Sequence, residues 1–95
     1  MRFLQKLDFT DRHITYLNEN ASSVMIESIQ KNKKLVLANL NYLKDLGVKN
    51  YQDIFIEYYD LFLLDNSTFV GIFNKYDRED LVDKLAKNVA IIEYL

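Results

Sequence analysis

Few side chains in the sequence are of the types from which catalytic centres are built. His13 is the only histidine, it lies two residues after Asp11, and the chain has no cysteine. A histidine base needs a nucleophile beside it. The serines all fall where helices begin or on helix faces, namely Ser22, Ser23, Ser28 and Ser67. We therefore interpret His13 as a solvated surface histidine and expect no enzyme activity.

A short acidic run could suggest a cation site near the end of the chain. It consists of Asp77, Glu79, Asp80 and Asp83, with Arg78 inside it. A calcium loop alternates its oxygen ligands and needs a glycine for its sharp turn, and this run contains none. Carboxylates are also favoured in the first turn of a helix by the helix dipole. The run therefore predicts a helix start, and we expect no metal and no cofactor.

Lysines form the most distinctive polar cluster in the sequence. The densest group is followed by two more in the same region: Lys31, Lys33, Lys34, Lys44 and Lys49. Such clusters neutralise nucleic-acid phosphates, especially when they face one way. Arginine, the usual reader of base edges, is scarce here, which favours contact with the nucleic-acid backbone. A solvated turn accounts for the lysines equally well, so both interpretations stay open.

Charge is divided unevenly along the chain. Residues 1–50 carry eight Lys and Arg against five Asp and Glu, whereas residues 51–95 carry four against nine. This asymmetry can orient the molecule towards an anionic partner or let two copies attract each other head to tail. Alternatively, the uneven distribution of charge arises by chance, as it can in a chain this short.

The pattern of apolar residues predicts an all-α fold. They recur mostly at steps of three and four, and the chain has no proline and only two glycines. We predict a single domain over residues 1–95 with about five or six short helices. The longest apolar runs are only as long as Leu61–Leu64. No apolar run is long enough for a membrane span or a secretion signal, and the chain has no cysteine. We therefore expect a cytoplasmic protein.

Capping residues place the helix boundaries. Residues 1–20 are predicted to form an extended arm, carrying Phe3, Leu7 and Phe9, followed by a short helix capped by Thr10. Gly47 is predicted to end the clearest helix in a Schellman cap, in which Leu43 meets Val48. The remaining helices are predicted to begin near Ser22 or Ser23, Asn50, Asp65 and Asp77. The helix that begins after Asn50 is predicted to continue to Phe62.

Residues 21–95 contain three segments that align with one another. Lys33, Tyr59 and Val89 mark equivalent positions, 26 and 30 residues apart. Apolar residues occupy the places four before, two after and three after each mark, namely Ile29, Phe55, Leu85, Leu35, Leu61, Ile91, Val36, Phe62 and Ile92. This spacing predicts helical repeats of roughly 30 residues. Ordinary amphipathic helices of similar length are the alternative.

The repeat resembles that of the mitochondrial transcription termination factor family. The likeness lies in the segment Asn32–Val48 with its Leu-Gly-Val ending, in Tyr59–Asn66 and in Asn88–Ile92. It implies a stack of short helices with a curved surface that binds nucleic acid on its inner, basic side. A second resemblance, of Leu43–Asn50 with Ile54 to a helix-hairpin-helix element, implies that amides around Gly47 and a nearby lysine approach a phosphate.

The C-terminal residues are predicted to leave an apolar end uncovered. Tyrosines are common interface anchors, and the candidate interface residues are Tyr59, Ile92, Tyr94 and Leu95. Self-association through this end is the expected consequence. The leading hypothesis is a non-enzymatic nucleic-acid-associated module, a regulatory or accessory factor, acting through the lysines. The alternative is a protein–protein adaptor or inhibitor of the small phage or plasmid type, acting through its acidic half or its tyrosines.

Overall fold

The computed structural model describes residues 1–95, and every regular element in it is helical. The α-helices are α1 (Asp11–Asn20), α2 (Ser23–Lys31), α3 (Lys33–Leu46), α4 (Tyr51–Glu57), α5 (Asn66–Asn74) and α6 (Arg78–Lys87). Three short 3₁₀ segments accompany them: N-terminal (Arg2–Leu7), central (Tyr59–Leu63) and C-terminal (Val89–Tyr94). The all-α prediction is confirmed. None of the helices combines the length and hydropathy needed to cross a bilayer.

The predicted extended N-terminal arm is wrong. Residues Arg2–Leu7 form a 3₁₀ segment that buries Leu4 and Leu7. These two residues are three apart, so they lie on one side of a helix with three residues per turn. The Tyr51 hydroxyl donates a hydrogen bond to the Leu7 carbonyl at 2.7 Å and fastens the segment to α4. The chain then turns at Asp8, whose φ of 63° is left-handed.

Local capping chemistry sets most helix starts where the sequence predicts them. The side chains of Thr10, Ser22, Asp65 and Asp77 each accept a hydrogen bond from the backbone amide three residues on. Hydroxyl donors add to the cap at Asp65: hydrogen bonds from Ser67 and from Thr68 hold the pKa of this carboxyl at about 2. Asn50 precedes α4 as predicted, but its side chain does not cap the helix: its amide donates to the Leu85 carbonyl, and its buried Oδ1 accepts no hydrogen bond.

Gly47 ends α3 in the predicted Schellman geometry. Its φ is 107°, its amide donates to the Lys44 carbonyl, and the Val48 amide donates back to the Leu43 carbonyl at 3.1 Å. Leu43 and Val48 are both buried, as the apolar contact of this cap requires.

The three aligned segments share one structural unit. Lys33, Tyr59 and Val89 each begin the second element after a break, so a helix–break–helix arrangement occurs three times. The residues four before these marks are fully buried (Ile29, Phe55, Leu85), and those three after are buried too (Val36, Phe62, Ile92). The second element is a 14-residue helix in the first unit but a short 3₁₀ segment in the others. The predicted continuous helix after Asn50 is therefore wrong, since α4 stops before Tyr58.

The core is organised around α3 and a row of phenylalanines. Helix α3 packs against α2, α4, α5 and the central 3₁₀ segment. Ring centroids lie 5.6 Å apart for Phe9 and Phe55, 5.1 Å for Phe55 and Phe62, 5.0 Å for Phe62 and Phe69, and 4.9 Å for Phe69 and Phe73. Aromatic pairs at such distances stabilise a core beyond the area they bury. The row joins the N-terminal residues to α4, the central 3₁₀ segment and α5.

Arg78, the first residue of α6, caps the C-terminal end of α3. Its Nε donates to the Leu46 carbonyl at 2.7 Å and its Nη2 donates to the Asp45 carbonyl at 3.2 Å. We expect Arg78→Ala to lower the free energy of unfolding by about 1 kcal/mol, because two terminal carbonyls lose a cationic donor. Urea unfolding followed by circular dichroism measures this. Lys84→Ala is the matched control on α6 and should cost less than about 0.5 kcal/mol; equal losses would contradict the capping role.

Candidate nucleic-acid interface

The five predicted lysines form two groups at opposite ends of α3. Lys31, Lys33 and Lys34 surround the break at Asn32, where α2 ends and α3 begins. Lys44 lies in the last turn of α3, and Lys49 follows in the turn before α4. Since a helix rises 1.5 Å per residue, the backbones at Lys33 and Lys44 are about 16 Å apart. All five are exposed, but the structure does not bring them together as one patch.

The N-terminal 3₁₀ segment adds a further cation, Arg2, to the first group of lysines. Arg2 and Lys33 line one open hollow of about 360 Å³, together with Met1, Phe3 and Gln30. No acidic side chain lines this hollow. Arg2 is not among the predicted residues, and its only signal in the sequence is its place in the positively charged half of the chain.

Most cations at this end have no carboxylate partner. Lys31 is paired with Glu27 at 2.9 Å, an exposed contact one helical turn apart. Arg2, Lys6, Lys33 and Lys34 have no carboxylate oxygen within 4.0 Å. Surface pairs such as that of Lys31 contribute little and exchange readily. We call these five residues, Arg2, Lys6, Lys31, Lys33 and Lys34, the basic edge.

The second lysine group lies among acidic residues. Lys44 and Lys49 line a hollow of about 370 Å³ that also contains Asp8. Lys49 borders a second hollow of about 350 Å³ lined by Glu79 and Asp83. Carboxylates this close repel a phosphate, so this end suits an anionic ligand less well than the basic edge does.

The amides around Gly47 are already occupied. The helix-hairpin-helix resemblance implies that they approach a phosphate, but the Gly47 and Val48 amides donate to carbonyls of α3. A backbone N–H group has one hydrogen to give. In this geometry those two amides are therefore not free to bind a phosphate.

The interpretation of His13 as a solvated residue is wrong, because the residue is buried, with 8% exposure. Its Nδ1 accepts from the Thr10 amide at 3.0 Å, and its Nε2 lies 3.4 Å from a carboxylate oxygen of Asp53. The ring also packs edge-on against Phe9, at 5.6 Å between centroids. The Thr10 hydroxyl, the His13 imidazole and the Asp53 carboxylate are thus neighbours, as in a catalytic triad. Thr10 and His13, however, form the capping box at the start of α1. None of the hollows is lined by these three residues.

The acidic run forms the first turns of α6, as predicted. Asp77 caps the helix, while Asp80 and Asp83 each pair with a lysine four residues on, both at 3.0 Å. No group of three or more His, Asp or Glu side chains is arranged to hold a metal ion.

The C-terminal end is only partly uncovered. Ile92 belongs to the core, with 9% exposure, and Tyr59 is half-buried, so neither forms the free surface that the sequence suggested. Tyr94 is 83% exposed and Leu95 is half-buried beside it. Both line a hollow of about 280 Å³ whose other lining residues are Tyr76, Asp80, Leu81, Lys84 and Ile91.

A tyrosine–glutamate pair holds the C-terminal 3₁₀ segment against the end of α4. The Tyr58 hydroxyl donates to a carboxylate oxygen of Glu93 at 2.6 Å. This hydrogen bond favours the protonated phenol and raises the pKa of Tyr58 to about 12. The pair anchors the segment that carries Tyr94.

Comparisons with family models, with curated proteins and with solved structures each give no match to the chain.

Proposed function

We propose that this protein binds nucleic acid through phosphate contacts at the basic edge. The observation that carries the proposal is the hollow shared by Arg2 and Lys33, which lie on different elements and have no acidic neighbour in its lining. Neither cation has a carboxylate partner within 4.0 Å. Cations held close together without counter-charges attract a polyanion, and its binding releases condensed counterions.

The threefold helix–break–helix arrangement supports the same proposal. It is compatible with the resemblance to mitochondrial transcription termination factor repeats, which implies a nucleic-acid-binding surface built from stacked short helices. The basic edge lies where the first repeat begins α3 and meets the N-terminal 3₁₀ segment. The contacts we propose are to the backbone, so we expect a regulatory or accessory role without strong sequence preference.

The proposal is tested by fluorescence anisotropy with labelled DNA and RNA oligonucleotides of about 20 nucleotides, in single-stranded and duplex form. At about 150 mM salt we expect binding with a Kd between about 1 and 100 µM, the range of backbone-driven contacts, and tighter binding at about 50 mM. An absence of binding to every oligonucleotide at this salt concentration would contradict the proposal.

We propose a second function for the C-terminal end, the pairing of two copies of the chain. The observation that favours it is the exposure of Tyr94, 83%, beside a hollow lined mainly by apolar side chains. The same hollow presents both Asp80 and Lys84. These two side chains pair with each other at 3.0 Å and leave the hollow without net charge, so the same patch on a second copy meets no charge repulsion in a twofold contact.

Light scattering after size-exclusion chromatography tests the pairing. We expect the mass of the wild type to rise from monomer towards dimer with concentration. The double variant Tyr94→Ser, Leu95→Ser should stay monomeric, because the hollow loses the exposed Tyr94 ring and the apolar side chain of Leu95. Val24→Ser, at another exposed apolar position with 73% exposure, is the control and should still pair. A monomeric wild type at all concentrations would rule the pairing out.

A further inference from the structure

We infer that the basic edge binds single-stranded nucleic acid, with one base stacked on the ring of Phe3 and adjacent phosphates held by Arg2 and Lys33. This inference rests on the proposed function and narrows it to one class of ligand. It is carried by the presence of an aromatic ring in the same hollow as the two cations.

The hollow has the composition of a site for an amphipathic ligand. Met1 and Phe3 are half-buried and give it an apolar part, while Arg2, Gln30 and Lys33 give it a polar part. A base has an apolar face and polar edges, and it is joined to a charged backbone. The two parts of the hollow match these two features.

The cations flank the ring along the N-terminal segment. Arg2 directly precedes Phe3, and Lys6 follows it by one 3₁₀ turn. Residues three apart in a 3₁₀ helix lie on the same side, so Lys6 stands about 6 Å further along the axis from Phe3. Alternation of cations with an aromatic side chain is the arrangement that binds single strands, because every base offers a face for stacking.

The exposed side of α3 is poorly suited to a duplex. The exposed residues of α3 are Lys33, Lys34, Ala38, Asn41, Lys44 and Asp45. Its cations lie at the two ends of the helix, none lies between them, and the carboxylate of Asp45 follows Lys44 directly. A helix that enters the major groove is accompanied by several phosphate contacts to position it. Within the basic edge, Arg2 and Lys33 share a hollow with Phe3, and Lys31 and Lys34 flank Lys33 in the chain at the same end of α3.

The test compares the wild type with Phe3→Leu and Phe3→Trp. The probes are oligo-dT, oligo-U and a hairpin duplex, each of about 20 nucleotides. We expect the wild type to bind both single strands more tightly than the duplex. Phe3→Leu keeps an apolar side chain but removes the ring, and it should weaken single-strand binding by about 5- to 150-fold while leaving the salt dependence unchanged. Circular dichroism and thermal unfolding establish that the variant is folded.

Phe3→Trp keeps the result decisive if the leucine variant is unstable. The chain has no tryptophan, so the new indole is the only one. We expect this variant to bind single strands at least as well as the wild type, with quenching of the indole fluorescence by the stacked base. Equal binding of duplex and single strands, or binding without quenching, would overturn the inference and leave the proposed function standing. Failure of all three probes to bind would overturn both.

Discussion

Asn39→Leu is expected to destabilise the protein by about 2–4 kcal/mol, because it breaks a polar network in the core. Asn39 is fully buried in α3. Its amide donates to the carbonyls of Phe62 and Leu64 at 2.9 and 3.0 Å, and its carbonyl oxygen accepts from the Asn66 amide at 2.9 Å. Leucine fills a similar volume but removes all three hydrogen bonds, and it leaves the carbonyl of the buried Phe62 without this donor.

Urea unfolding measures this effect, with Asn41→Leu as the matched control. Asn41 lies on the exposed side of the same helix, so the same substitution there should change stability by less than about 0.5 kcal/mol. Since small domains have a total stability of about 5–15 kcal/mol, the Asn39 variant should unfold at clearly lower urea concentration. Equal losses in the two variants would show that the polar network contributes nothing specific.

Reversing two charges at the basic edge is expected to have the largest effect on binding. The variant Arg2→Glu, Lys33→Glu replaces the two cations of the shared hollow with carboxylates. We expect the affinity for nucleic acid to fall about 10- to 100-fold, because two phosphate contacts are lost and two repulsions are gained. Anisotropy titrations at one fixed salt concentration measure the change.

The other end of α3 provides a control with the same change in net charge. Lys44→Glu, Lys49→Glu adds the same negative charge beside Asp8, Glu79 and Asp83, where we expect no phosphate contact. This variant should change the affinity less than about threefold. If the two double variants weaken binding equally, binding depends on overall charge and the basic edge is not the site.

The elements of the fold follow largely from local sequence signals. Thr10, Ser22, Asp65 and Asp77 cap the helices predicted for them because a side chain needs to reach only the amide three residues on. Gly47 ends α3 for an equally local reason, its left-handed backbone. The repeat register is also legible in the sequence, since buried positions are apolar in all three units.

Contacts between distant segments were not predictable in this way. His13 is buried because Phe9 and Asp53 pack around it, and Asp53 lies on α4. Asn50 bonds to α6 rather than capping its own helix. The polar network of Asn39 joins residues 23 to 27 positions apart, and nothing in the local sequence distinguishes it from an exposed asparagine.

The candidate site was predicted only in part. The sequence selects Lys31, Lys33 and Lys34 because they are adjacent, and the structure keeps them at one end of α3. The sequence also groups Lys44 and Lys49 with them, although Lys44 lies 11 positions after Lys33, about 16 Å along α3. Arg2 was missed because its proximity to Lys33 depends on how the N-terminal segment folds back along the molecule.

The dependence of nucleic-acid affinity on salt tests the central claim most directly. The measurement is the Kd of the wild type for a single-stranded oligonucleotide over a series of salt concentrations from about 20 to 200 mM. The four cations of the basic edge without carboxylate partners predict a slope of about −3 for the logarithm of the association constant against that of salt. A slope near zero, or no binding at the lowest salt concentration, would contradict the claim.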